Sequence, residues 1–409
     1  MSYLKKRCKK LKQRLQFIPI IIFVIFFLSI TGVQAAEEPK DPSNPLSPQE
    51  LVDEQLKSLD ITELKQFWED ITYKYGGFLP ESQKGSLYDF VSGEKKFSFK
   101  QWGLGILKFA FQEFVANGKL LGSLIMLTIF SMFLQSMQNA FEQSAISKVA
   151  YSIVYMVLVI IALNSFHIAI SYTNEAIESM ISFVLALVPL LLALIAASGG
   201  LISAAFFHPV ILFLMNISGL FMQYIILPLL FLATLLSIVS TMSDQYKVSQ
   251  LAALLRNWSI GLMGLFLTVF LGVISVQGAS AAVTDGVTIR TAKFVTGNFI
   301  PVIGRMFTDA TDTVVSASVL LKNTVGIAGV GILLIIVAFP ALKILMIAFI
   351  YKFAAAILQP LGGGPIITCL DIISKSVIYV FAALSIVSLM FFLCITVIVA
   401  AGNLTMMIR

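Results

Sequence analysis

From residue 119 to its end, the sequence is a succession of apolar runs, and this feature constrains the fold more than any other. Most of the runs approach or reach the roughly 20 residues that an α-helix needs to cross a bilayer. Over the whole chain 58% of the residues are hydrophobic and only 12% are charged, so a soluble core could not bury the apolar surface. The sequence therefore predicts an all-α, polytopic membrane protein.

The pattern predicts about eight membrane-spanning helices, in a first group over 119–277 and a C-terminal pair over 325–409. They fall near 120–137, 149–169, 181–197, 202–219, 223–242, 259–277, 325–348 and 377–400. The part most open to revision is 181–242, because its internal breaks are weak and its length suffices for three crossings. Removing one crossing there would reverse the orientation of everything that follows.

The N-terminal region has the order of a secretory signal peptide over residues 1–35. Seven basic residues precede the apolar run FIPIIIFVIFFLSI, and small residues follow near Ala35. An uncleaved anchor helix is the alternative, but the run is shorter than a full span needs. In either case, the residues that follow are predicted to be exported. Residues 36–98 are predicted to form a linker and then a small helical region, because prolines and acidic residues are followed by an amphipathic pattern.

Residues 99–118 mix aromatic and aliphatic side chains with Lys100, Lys108 and Glu113. This mixture is typical of an amphipathic helix that lies at the membrane interface. The alternative is that these residues form the first turns of the next span. Sequence alone leaves both interpretations open.

Lysine and arginine are enriched in loops that stay in the cytoplasm, so their positions predict the orientation of the chain. The loops predicted to be cytoplasmic carry Lys148, Lys247 with Arg256, and Lys343 with the residues from Lys352 to Lys375. The loop with Glu175 and Glu178, the segment 278–324 and the short C-terminal tail are predicted to be exported.

Residues 278–324 are predicted to form an exported polar or amphipathic segment, with six charges between residues 284 and 313. From Ile303 onward, an apolar and a polar stripe each recur every three or four residues, which is the pattern of a two-faced helix. The candidates for a water-filled path or a partner-docking face are Arg290, Lys293, Arg305, Asp309, Asp312 and Ser316. A solvated surface segment without a binding role is the alternative.

Glycines carry two further predictions. The loop after Gln359 lacks the Lys and the Ser or Thr that a phosphate-binding loop needs after its glycines. Its glycines and prolines instead predict a hinge or a re-entrant turn. The candidate hinge residues are Pro360, Gly362, Gly363, Gly364 and Pro365. Glycines within apolar runs predict sites of close helix contact, and these are Gly261, Gly264, Gly326, Gly329 and Gly331.

No catalytic, cofactor-binding or metal-binding site is predicted, and the chain is not expected to be an enzyme. GxSxG, HExxH, CxxC and Walker sequences are absent from it. Cys8 lies in the signal-peptide region, while Cys369 and Cys394 lie in or near apolar runs, where a thiol behaves as a small apolar side chain. Much of the positive charge precedes the first apolar run, so nucleic-acid binding is not indicated.

Several segments together resemble the stage III sporulation protein AE family of endospore-forming bacteria. They include FWEDITYKYGGFLPESQKGSL, SKVAYSIVYMVLVIIALNSFHIAI, SAAFFHPVILFLMN, ILQPLGGGPIITCLDIISKSVIY and AGNLTMMIR. The charged stretch from residue 284 through SASVLLKN belongs to the same likeness. The resemblance covers most of the chain after about residue 60.

The resemblance implies a multi-pass protein of the mother-cell membrane that surrounds the forespore after engulfment. It implies a subunit of a channel complex that looks like a specialised secretion apparatus and sustains forespore development. The implied partners are the other stage III A proteins, including a secretion-type ATPase and ring-forming subunits, and indirectly the forespore stage II Q protein. No cofactor and no catalytic residue come with the family.

Two other functions fit the sequence. A self-contained secondary transporter would couple an ion to a small solute, but it predicts an internal repeat, and the two halves of the chain show no convincing similarity. A membrane scaffold that assembles other proteins without forming a pore fits equally well.

Overall fold

The computed structural model describes residues 62–80, 99–140, 145–242, 247–299, 303–361 and 364–407. These residues are helical apart from short turns, and they contain no strand. The expected all-α class is confirmed for this part of the chain. The predictions of a signal peptide over 1–35 and of a linker at the start of 36–98, together with Cys8, lie outside the described residues.

The described elements follow one another as helices of very different lengths. They are α1 Thr62–Tyr75, α2 Phe99–Ala116, α3 Gly118–Ala140, α4 Ala145–Ala197, α5 Leu201–Phe221, α6 Leu227–Met242, α7 Ser249–Phe299, α8 Ile303–Leu358 and α9 Pro365–Met407. A π-helical turn, Met222–Ile226, joins α5 to α6, and a 3-10 turn, Gln359–Leu361, follows α8. Helices α4, α8 and α9 pack against one another, and the other long helices pack around them.

Six helical stretches in the described ranges are long and apolar enough to cross a membrane, whereas the sequence pattern predicted about eight. The spans predicted at 149–169 and 181–197 lie on one unbroken helix, α4. The spans predicted at 202–219 and 223–242 are likewise joined, through the π-helical turn. A helix cannot cross a bilayer twice without a turn, so each pair counts as one crossing.

Prolines within the apolar runs do not end the helices. Pro189, Pro209 and Pro340 lie inside α4, α5 and α8, respectively. Near Pro228 the helix widens instead, since the N–H of Leu227 donates to the carbonyl of Met222, five residues earlier. Proline has no N–H to donate, and a wider turn is a known accommodation of such a gap in the hydrogen-bond ladder.

Successive long helices run antiparallel, so the bundle has two ends. At the end that we call basal, the hydroxyls of Tyr155 on α4 and Thr241 on α6 are 2.5 Å apart. Towards the other end, which we call distal, the side chain of Leu187 on α4 lies against Gly329 on α8. A rise of 1.5 Å per residue separates Tyr155 from Leu187 by about 48 Å along α4.

The predicted glycine contacts are confirmed at Gly326 and Gly329 of α8 and are wrong at Gly261 and Gly264 of α7. A Cβ built on Gly329 would stand 2.5 Å from a methyl of Leu187, and one built on Gly326 would collide with Val399 of α9. Gly261 and Gly264 of α7 have open space at the same position and are exposed. Small residues in an apolar run therefore do not by themselves identify a helix contact within this chain.

Helix α1, in the predicted small helical region, is packed onto the bundle. Its apolar face buries Leu64, Trp68, Ile71 and Tyr75. The ring of Phe67 meets that of Phe183 on α4 edge to face, with the centroids 5.6 Å apart. The ring of Tyr75 stacks on Phe339 of α8 at 4.0 Å. Helix α1 thus shares the core of the long helices.

Replacing Trp68 by alanine is expected to release α1 from the bundle. Trp68 is only 2% exposed, and removing a buried tryptophan costs about 3–5 kcal/mol. Limited proteolysis of the purified protein in detergent measures the effect as faster cleavage within 62–80. Tyr73→Ala is the matched control because Tyr73 lies on the same helix and is 96% exposed. Equal cleavage of both variants would contradict the observed packing of α1.

Candidate functional site

A polar pocket of about 100 Å³ lies between α2, α4 and α8 and at the start of α3. Its wall combines charged, amide, hydroxyl and aliphatic groups, whereas most of the helix contacts are apolar. The lining residues are Glu113, Asn117, Leu120, Ser165, Ile168, Tyr172, Lys343 and Ile347.

An ion pair crosses this pocket from α2 to α8. The Nζ of Lys343 is 3.8 Å from Oε1 of Glu113, and the side chains are 24% and 20% exposed. The same Nζ lies 5.0 Å from the centre of the Tyr172 ring on α4, within the range of a cation–π contact. An ionisable group in an apolar helix is costly unless it has such partners, so Glu113 and Tyr172 explain how α8 tolerates Lys343.

The local chain geometry keeps Glu113 at the pocket. Helix α2 ends at Ala116, and the side-chain amide of Asn117 donates to the carbonyl of Glu113 at 2.8 Å. The backbone N–H of Asn117 donates to the same carbonyl at 3.0 Å, so both groups of Asn117 close the last turn of α2. Asn117 therefore marks the junction at which the chain leaves α2 and enters α3.

A second polar contact joins α8 to α4 on the basal side of the ion pair. The hydroxyl of Tyr351 donates to Oγ of Ser165 at 2.8 Å, and Ser165 Oγ donates to the carbonyl of Ile161 at 3.0 Å. Tyr351 and Ser165 are both buried, so these hydrogen bonds fix the register of the two helices.

Helix α1 contributes Tyr75 next to this region. Burial raises the pKa of Tyr75 to about 12, and the negative charges of Glu175 and Glu113 act in the same direction. Tyr75 therefore stays a neutral phenol near neutral pH. The carboxylates of α2 and α4 and the phenol of α1 form one polar level of the bundle, together with Lys343.

A separate charged cluster lies near the basal end. Asp371 of α9 accepts from Lys352 of α8 at 2.5 Å and from Lys375 of α9 at 2.7 Å. Both lysine side chains are about three-fifths exposed. The cluster links α8 to α9 close to their glycine-rich connection and leaves a net positive charge there.

The family model for stage III sporulation protein AE matches residues 82–402. The stage III sporulation protein AE of Bacillus subtilis (strain 168) is 69% identical over 361 residues, which are 88% of this chain and 90% of that protein. The chain belongs to the stage III sporulation protein AE family. No solved structure matches it.

In this member of the stage III sporulation protein AE family, the candidate polar residues of 278–324 lie on the ends of two helices. Arg290 and Lys293 lie near the end of α7, and Arg305, Asp309 and Asp312 lie near the start of α8. The structure describes the helical backbone of these five residues, and their side chains are outside the description. Ser316 is exposed, whereas its neighbours Val315 and Ala317 are buried.

The stripe and the pocket are far apart. Ser316 and Lys343 are 27 residues apart on α8, or about 40 Å. The described parts of the segment, 278–299 and 303–324, thus continue the apolar parts of α7 and α8 towards the distal end. Its role as a polar path or docking face stays a prediction.

The candidate hinge is partly described. Pro360 lies in the 3-10 turn and is exposed, and Pro365 is the first residue of α9. Proline suits this first position because its missing N–H would have no intrahelical partner there. The carbonyl of Gly364 accepts from the N–H of Thr368 at 3.2 Å, while Gly362 and Gly363 lie outside the described residues. Motion at this connection stays a prediction.

The Glu113–Lys343 ion pair was not predicted from the sequence. The charge pattern predicts that Lys343 belongs to a cytoplasmic loop, but the residue lies inside α8, next to Glu113 and Tyr172. The same pattern predicts an exported loop at Glu175 and Glu178, but both residues lie inside α4. The sequence feature that could have indicated this pair is a lone charged residue within an apolar run, because such residues in membrane proteins are usually paired or functional.

The remaining reactive groups are dispersed. Among the described residues, no three His, Cys, Asp or Glu side chains gather in a way that could hold a metal ion. Cys369 and Cys394 are free thiols and are buried in the helix core. Their burial confirms the expectation that they pack as small apolar side chains.

Proposed function

We propose that this chain is a membrane-embedded subunit of the complex that joins the mother cell to the forespore during sporulation. Its membership of the stage III sporulation protein AE family carries this proposal, since the match extends over most of the chain. The apolar helices agree with a multi-pass protein, which we propose to reside in the mother-cell membrane surrounding the forespore.

We propose the other stage III A proteins as direct partners, including the secretion-type ATPase and the ring-forming subunits, and the forespore stage II Q protein as an indirect one. The chain itself would act without catalysis, so energy would come from a partner or an ion gradient. The Glu113–Lys343 pair would hold α2, and with it α1, against the long helices. The exported surface that binds the partners would then keep a single conformation.

The composition of the complex tests this proposal. An affinity-tagged chain, purified from sporulating cells in mild detergent, is expected to bring the ATPase and the ring-forming proteins with it. The same tag on an unrelated multi-pass protein is the control. Recovery of the chain without any of these proteins, in cells that still form spores, would contradict the proposal.

Replacing Arg305 and Asp309 together by alanine is expected to abolish forespore gene activity while the protein still accumulates. The two residues are one turn apart near the distal end of α8, where the proposed polar stripe would meet water or partners. A fluorescent reporter in the forespore, together with an immunoblot, measures both quantities. The matched control is Glu63→Ala with Lys65→Ala, which removes one acid and one base from the exposed face of α1. Normal reporter activity in the α8 double variant would remove the stripe from the mechanism.

The polar pocket favours one alternative function, a self-contained transporter. Charged and hydroxyl groups between membrane helices are a common form of ion or solute site. A transporter reconstituted alone in vesicles should move a solute, and a Lys343 variant should lose that movement. A subunit of a larger complex should show no transport in the absence of its partners. A non-conducting scaffold should show no transport even when its partners are present.

A further inference from the structure

We propose that one face of α4 borders water rather than lipid where the helix crosses the membrane, and that this face attracts cations. We call it the polar lane. Its side chains are all exposed and recur every three or four residues, so they lie on one side of the helix. The lane extends over about 27 Å, which is close to the thickness of the hydrocarbon core of a bilayer. Its residues are Asn164, His167, Ser171, Glu175, Glu178 and Ser182.

The membrane crossing of α4 must include part of the polar lane. The apolar stretch of this helix runs from Val149 to Ala197, and Lys148 precedes it. The two parts that flank the lane, 149–163 and 183–197, are each only about 22 Å long at 1.5 Å per residue. An α-helix needs roughly 20 residues, or about 30 Å, to cross the hydrocarbon core. Neither flank is long enough, so residues of the lane lie within the membrane.

Helix α7 carries an outward face with the same spacing and the opposite chemistry. On α4, Ser171, Glu175 and Ser182 follow Asn164 by seven, eleven and eighteen residues. The residues at the same spacing on α7 are all apolar and more than half exposed, and they are Trp258, Leu265, Val269 and Val276. Hydrocarbon suits the face of α7, whereas it strongly disfavours the carboxylates of the polar lane. Lipid contact therefore explains the outer face of α7 but not that of α4.

The carboxylates give the polar lane a negative charge. Among the described residues, no lysine or arginine lies within ion-pair distance of Glu175 or Glu178. Lys343 instead pairs with Glu113. The side-chain amide of Gln223 donates to Oε1 of Glu178 at 3.5 Å, which is long for a hydrogen bond and leaves the charge in place. Two negative charges beside a low-dielectric wall attract cations and repel anions.

Further polar groups lie on both sides of the polar lane. On one side is the polar pocket, to which Ser165 and Tyr172 of α4 contribute. On the other side, the amide of Gln223 also donates to the carbonyl of Asn174 at 3.5 Å. Helix α1, which packs on α4, turns a charged face outward. The polar surface is thus wider than one helix face, as a surface in contact with water requires.

Thiol labelling of the purified chain in liposomes tests the proposal. A chain without its native cysteines carries either Ser171→Cys in the polar lane or Leu265→Cys at the matching position of α7. A cationic and an anionic methanethiosulfonate are loaded on both sides of the membrane by freezing and thawing. Each labelling rate is divided by the rate of the same reagent with free cysteine. His167→Cys is a second probe of the lane in case the first variant does not fold.

We expect Ser171→Cys to react at least about tenfold faster than Leu265→Cys, because the reactive thiolate is disfavoured in apolar surroundings. The cationic reagent should react faster than the anionic one at residue 171. Adding Glu175→Gln and Glu178→Gln should remove this preference without stopping the reaction. Equal rates at residues 171 and 265 would overturn the contact with water. A missing preference, or one that persists in the glutamine variant, would overturn the attraction of cations. The purified chain is used alone, so the outcome does not depend on the proposed role in sporulation.

Discussion

The variant Lys343→Glu is expected to lose most of its folded protein from the membrane and to stop spore formation. The Nζ of Lys343 is 3.8 Å from Oε1 of Glu113, and the substitution would replace this ion pair by two carboxylates in the same largely buried helix contact. Breaking a largely buried charge pair costs roughly 2–3 kcal/mol, and like charges add to this cost. A loss of this size lowers the ratio of folded to unfolded protein by more than about tenfold. An immunoblot of membranes and a count of heat-resistant spores measure the two effects.

The charge swap separates the pair from a general effect of substitution. Glu113→Lys combined with Lys343→Glu restores opposite charges and is expected to recover part of the protein and of the spores. Lys119→Glu is the matched control, since Lys119 lies beside the pocket but is exposed. A Lys343→Glu protein that accumulates and supports sporulation normally would show that the ion pair has no structural role.

The variant Gly329→Leu is expected to separate α8 from α4. A Cβ at Gly329 would stand 2.5 Å from a methyl of Leu187, and a leucine adds three further carbons to that contact. Overpacking of a helix interface costs about 1–3 kcal/mol, and more when the neighbouring atoms cannot move. Size-exclusion chromatography and thermal denaturation in detergent measure the loss of the folded monomer.

The control for this variant lies on α7. Gly264→Leu makes the same substitution in an apolar helix, but a Cβ at Gly264 has open space around it. We expect this variant to denature at the same temperature as the natural chain. If Gly264→Leu were the more damaging substitution, the assignment of the close contact to α8 would be wrong.

The helical class follows from the sequence because length and apolarity alone decide it. The number of crossings does not, because hydropathy detects polar interruptions without telling whether the helix continues through them. Glu175 and Glu178 interrupt the apolar run of α4, but the backbone hydrogen bonds continue past them. The polar side chains lie near other polar groups, such as Gln223 after α5, so no turn is needed.

Two pairs of predicted spans are merged into single helices, and the effects of the two mergers on the predicted orientation cancel. Each merged pair removes one crossing, and removing two crossings restores the same side of the membrane for everything after 242. Only the turn at 198–200 changes sides. The candidate site could not be predicted in the same way, because Glu113 and Lys343 are far apart in the chain and only the packing of α2 on α8 brings them together.

The side of the membrane on which the turn at 198–200 lies tests the six-crossing fold most directly. A chain without its native cysteines, carrying Ala197→Cys, is expressed in cells that lack other sporulation proteins and treated with an impermeant maleimide. Ala197 is exposed at the end of α4. The fold predicts labelling in intact cells, as for Tyr73→Cys on α1. Labelling only after permeabilisation, as expected for Lys247→Cys, would contradict the continuous helices and favour eight crossings.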